Sequence, residues 1–177
     1  FNFLSLHVVL ECDKTSDISF QVFNDVFSLY ESNFTKKEIA EMLKIHTKSY
    51  AGNVLYLGFY KNKKIQQFLI DWIQKEFGKN ILMKILSTKI QGNVPLINAV
   101  SNENFEILQL FFDVYEKYFT NAKMRQFLSE KDSERNYVVK ITNDYRKNEF
   151  LIEKLRIYAP VLSFRFKILS LLKLEIF

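Results

Sequence analysis

Apolar side chains recur at spacings of three and four along most of this chain, and short polar breaks interrupt them. Phe105, Leu108, Phe111, Phe112, Tyr115 and Phe119 fall on one face of a helix, directly after the break Ser101-Asn102-Glu103-Asn104. Ile65, Phe68, Leu69, Trp72, Ile73 and Phe77 do the same after Lys61-Asn62-Lys63-Lys64. Phe150, Leu151, Leu155 and Tyr158 form a third such stripe, which Pro160 ends. In the middle stretch a short apolar run, residues 96–100, precedes the break. Further short helices are expected at 81–86 and 122–128. Another is expected after Thr35-Lys36-Lys37-Glu38, a capping-box pattern ahead of Ile39, Met42 and Leu43. With only 4 Gly and 2 Pro, strand-turn signals are scarce, and the predicted fold class is all-α.

The stripes belong to a longer period. Gly52-Asn53-Val54-Leu55 is echoed by Gly92-Asn93-Val94-Pro95-Leu96, a repeat of about 40 residues from asparagine to asparagine. A third copy, Arg135-Asn136-Tyr137-Val138, follows Asn93 at nearly the same interval. The preceding segments also match, Leu86-Ser87-Thr88-Lys89 against Leu128-Ser129-Glu130-Lys131. A weaker first copy at Asn2-Phe3-Leu4 lies more than one period ahead of Asn53 and requires an insertion. Periods of this size predict a short solenoid of three to four helical units, each too small to bury its own apolar face. The expected divisions are a weak first unit at 1–51, units at 52–91 and 92–134, a partial unit at 135–160, and an apolar tail at 161–177. The echo also predicts that Phe68 corresponds to Leu108 and Trp72 to Phe112, with Trp72 and Phe112 both buried between neighbouring units.

Gly92-Asn93-Val94-Pro95-Leu96-Ile97-Asn98-Ala99, then Phe105-Glu106-Ile107-Leu108-Gln109-Leu110-Phe111, resembles a divergent ankyrin repeat. The Gly, Asn, Pro, Leu and Ala of that family's start are kept, while Val94 and Ile97 replace its Thr and His. The neighbouring copies keep less: Leu55 and Phe59 stand for the Pro and Ala in one, Arg135, Val138 and Thr142 for the Gly, Pro and Ala in the other. The period exceeds the family's, which an extra short helix per unit accounts for. The resemblance implies protein recognition through turns and first helices, and no reaction. On that basis Tyr50, Asn53, Tyr56, Gln91, Asn93, Glu134 and Tyr137 are the expected contacts with a protein partner.

Composition adds limits. Net charge is +5, but acids and bases are interspersed, as in Glu130-Lys131-Asp132, which describes a mixed solvated surface. A basic cluster at Lys61, Lys63 and Lys64, with Arg146 and Lys147 in the equivalent later turn, defines the alternative reading: a helical-repeat protein binding RNA or anionic phosphate surfaces. Asn102-Glu103-Asn104 interrupts that ridge in the middle unit. Cys12 is the only cysteine, so an intrachain disulfide and a Cys-based zinc cluster are excluded; this fits an intracellular, cytoplasmic setting. His7 and His46 have no marked catalytic partners, and the chain holds neither a Gly-x-Ser-x-Gly elbow nor a Gly-rich phosphate loop. The expectation is therefore a non-enzyme without cofactor or metal. Asn33-Phe34-Thr35 matches a glycosylation sequon. No apolar run reaches membrane-spanning length, and the apolar residues at both ends predict flanking repeats or self-association.

Overall fold

The computed structural model describes residues 17–39, 62–89, 92–130, 138, 142 and 144–164. Apart from a single-residue bridge at Asn93 and a 3-10 turn at Val138, the regular structure among them is α-helical, as the spacing predicts. The helices are α1 (Asp17–Asn33), α2 (Lys63–Ser87), α3 (Pro95–Ser101), α4 (Phe105–Tyr118), α5 (Asn121–Ser129) and α6 (Tyr145–Tyr158). Further helical turns begin at 36–39 and 160–164. The echoes at 2–4, 52–55 and 135–137, the two histidines and Cys12 lie outside the described residues.

One local device starts α2, α4 and α6. A helix leaves its first backbone N–H groups without intrahelical acceptors. Asn62 Oδ1 accepts from the N–H groups of Lys64 at 2.9 Å and Ile65 at 3.3 Å. Asn104 Oδ1 accepts from Glu106 N–H at 3.0 Å, and Asp144 Oδ1 from Arg146 at 2.9 Å and Lys147 at 3.3 Å. These caps recur with a period of about 40 residues, close to that of the sequence echo. Counted from the caps, Leu69 corresponds to Phe111 and Ile73 to Tyr115, which differs by two positions from the expected pairings of Phe68 with Leu108 and Trp72 with Phe112. The cause is local: the step from Asn93 to Asn104 is two positions longer than the step from Asn53 to Asn62.

Each long helix is followed closely by a short one. Within α2 the chain breaks at Gly78, whose φ of 80° and ψ of 168° are open to glycine and strained for other residues. After α4 the break is made with extended backbone at Phe119 and Thr120, and the Thr120 hydroxyl accepts from Lys123 N–H to cap α5. The capping box forms after α1: Thr35 N–H and Oγ1–H both donate to Glu38 Oε2, while Glu38 N–H donates to Thr35 Oγ1. Pro160 ends α6 and also opens the next helical turn, where the Leu162 and Ser163 N–H groups bond to Ala159 O.

The long helices pack in chain order, α1 on α2, α2 on α4 and α4 on α6. Aromatic rings fill the joints. Phe27 meets Trp72 edge-on with centroids 5.0 Å apart, and Phe112 meets Phe150 at 5.1 Å. Trp72 is 5% exposed and Phe112 0%, so both are buried as expected. Trp72 Nε1–H also donates to Glu31 Oε1 at 2.8 Å, tying α2 to α1. α1 goes beyond the sequence expectation, although Phe20, Phe23, Phe27, Tyr30 and Phe34 keep helical spacing along it and into the turn that follows.

Candidate functional site

Of the seven expected partner contacts, only Asn93 is described. It follows Gly92, whose φ of 86° makes the turn into α3, and is half-buried, its Oδ1 without a hydrogen-bond partner. Tyr50, Asn53, Tyr56, Gln91, Glu134 and Tyr137 lie outside the described residues.

Of the alternative phosphate ridge, Lys63, Lys64 and Arg146 are exposed and Lys147 is buried. Lys61 lies outside the described residues. Lys63 Nζ stands 3.6 Å from Glu106 at the start of α4. The Arg146 guanidinium lies 4.9 Å from the centre of the Phe105 ring. Lys147 is a correction: it is 3% exposed, and its ammonium donates to Asn102 O at the C-terminal end of α3. Burial holds its pKa below the usual lysine value, and the ammonium is turned away from any surface phosphate. The N3 positions of α2 and α4, Ile65 and Ile107, face the core in the same way.

A second group of lysines stands at the other end of the long helices. Lys36, Lys63, Lys75, Lys89 and Lys154 each meet a glutamate. Lys79, Lys84, Lys117 and Lys123 form no ion pair among the described residues. The first and third place their ammonium groups 5.7 and 5.2 Å from the centre of the Tyr118 ring. Lys84 and Lys123 line an adjoining cleft of about 520 Å³, whose walls include Met83, Tyr118, Phe119 and Thr120. Among the described residues no acidic side chain lines it.

Sequence reasoning missed this grouping because its members come from α2, α4 and α5. A signal existed: Lys117 follows Lys79, and Lys123 follows Lys84, at intervals of nearly 40 residues, close to that of the sequence echo. A second cleft, of about 770 Å³ between α4 and α6, is electrically mixed, lined by Arg146, Arg156, Glu149 and Glu153 of α6. Ile157, Val161 and Phe164 remain 59–69% exposed where α6 runs into the last helical turn.

Among the described residues no group of three or more His, Cys, Asp or Glu is placed to hold a metal ion. No helix among them is long and apolar enough to cross a membrane. The class that emerges is an all-helical protein whose long, side-chain-capped helices pack in chain order. Comparison with protein-family models, with curated proteins and with solved structures finds no match for this chain.

Proposed function

We propose that the chain is a non-catalytic protein-recognition module, built as a short solenoid of ankyrin-like units that each carry an extra short helix. The observation that carries this reading is the agreement between capping and packing. Asn62, Asn104 and Asp144 cap α2, α4 and α6 at nearly equal intervals along the chain, and those helices pack one on the next. A solenoid has contacts of this kind, between neighbours in chain order. The Gly92–Ala99 segment supports the ankyrin likeness: a glycine turn, Pro95 at the first position of α3, and α3 laid against α4. In such a module the turns and first helices meet the partner, which assigns that role to Asn93 and its counterparts in the other units.

Affinity capture from native extract with the immobilised chain, with and without nuclease, tests this. A captured protein should remain after nuclease and re-form a stoichiometric complex from purified components. Loss of all retained material on nuclease treatment would favour nucleic acid and end the proposal.

A further inference from the structure

We infer that the cleft between the second half of α2 and the start of α5, with Lys79, Lys84, Lys117 and Lys123 around it, receives an acidic segment of a protein partner that also carries an apolar side chain. The inference rests on the protein-recognition reading above and specifies the chemistry of what is recognised.

Three observations converge on this cleft. First, its charge is uncompensated. Four lysines from three helices stand around Tyr118 and the cleft beside it, and none of them forms an ion pair among the described residues; Lys123 Nζ bonds instead to the neutral Gln126 Oε1 at 2.9 Å. Like charges gathered on one surface raise its potential and draw anions to it. Second, the cleft walls are chiefly apolar, with Met83 and Phe119 among them. A bare anion would leave that surface unused, and an acidic segment with one apolar side chain covers both. Third, the rings there are already engaged. Tyr118 has two ammonium groups at its ring and its hydroxyl bonds to Gln74 Oε1, while Phe119 packs on Tyr115 and Phe127 at 5.2 Å each. Single-stranded nucleic acid is held by bases stacking on open aromatic faces along a basic track. Engaged rings and a compact group of cations favour carboxylates on a peptide.

The test uses the full chain and a fluorescein-labelled seven-residue peptide of five glutamates around one leucine and one phenylalanine, read by fluorescence anisotropy. Binding should be saturable and weaken with added salt, since exposed charges are screened within about 10 Å at 0.1 M salt. Lys84→Glu with Lys123→Glu should reduce affinity by about tenfold or more, the sum of two reversed contacts. Lys63→Glu, at the other end of the helices, should leave it unchanged. Both lysines of the cleft variant reach solvent, and its melting curve checks that it folds; Lys84→Gln with Lys123→Gln is the milder substitute.

Equal loss with Lys63→Glu would mean diffuse attraction and overturn the inference. Tighter binding of a labelled oligouridylate through the same two lysines would do so as well, by making the ligand a nucleic acid. If a captured protein still binds the Lys84→Glu, Lys123→Glu variant at full strength, the cleft is not its docking site, while the recognition reading stands.

Discussion

The Tyr115 hydroxyl donates to the carbonyl oxygen of Leu86 at 2.5 Å. It also accepts from Leu96 N–H at 3.2 Å, so one side chain of α4 satisfies the last turn of α2 and the first turn of α3. Val94, the N-cap of α3, has no capping side chain, and Tyr115 supplies the missing partner. The ring is fully buried, and burial pushes the phenol pKa well above its ordinary value. Tyr115→Phe keeps the packing but strands a buried N–H and C=O. It should cost about 1–3 kcal/mol in urea unfolding. An unchanged midpoint would mean that water or a rearranged backbone replaces both bonds.

Trp72 and Phe112 occupy the joints between successive long helices, against Phe27 and Phe150 respectively. Trp72→Ala or Phe112→Ala should each cost about 3–5 kcal/mol, by transfer and cavity terms together. A domain of this size has total stability of about 5–15 kcal/mol, so either variant approaches unfolding. Circular dichroism melts showing wild-type behaviour in both variants would contradict the packing in the joints.

Asn98 gives the opposite expectation. It is 1% exposed within α3, and neither Oδ1 nor Nδ2 has a hydrogen-bond partner. An unpaired buried amide carries a desolvation penalty that an apolar side chain of similar volume avoids. Asn98→Leu should therefore raise stability by about 1–2 kcal/mol. A lowered melting temperature would show that the amide is bonded in solution.

Among the described residues, two carboxyl groups with lowered pKa values contribute to the behaviour in acid. The Lys36 ammonium bonds to Glu76 and, with help from Lys75, holds its pKa below the ordinary 4.5. Thr35 N–H and hydroxyl do the same for Glu38 in the capping box. Both folded-state values lie below the unfolded ones, so the stabilisation is complete above about pH 4.5 and drains away as pH falls through the folded values. Melting temperature against pH should drop in that window, and Glu76→Gln should flatten part of the drop. A variant with the wild-type profile would remove Glu76 from the account.

Much of the helical layout is legible in the chain. The stripes from Ile65 and Phe105, the capping box at Thr35, and the short helices near 81–86 and 122–128 all depend on residues within a turn or two of each other. α1 is legible in principle from Phe20, Phe23, Phe27 and Tyr30, but the repeat echoes begin elsewhere and do not point to it. The candidate site is harder to read. Lys147 looks like another surface base in a charged turn, yet sits at a position that faces the core.

Which segments are helices, and where most of them start and stop, follows from the order of residues alone, because helical periodicity and side-chain caps are short-range effects. The engagement of Lys147 with Asn102 and the meeting of Tyr115 with Leu86 emerge with the packing of the helices. So does the division between lysines that keep a carboxylate and those that stand together without one around Tyr118. Those relationships join residues 29 to 45 positions apart or on separate helices. They depend on how one helix lies against the next, and spacing along the chain does not encode that.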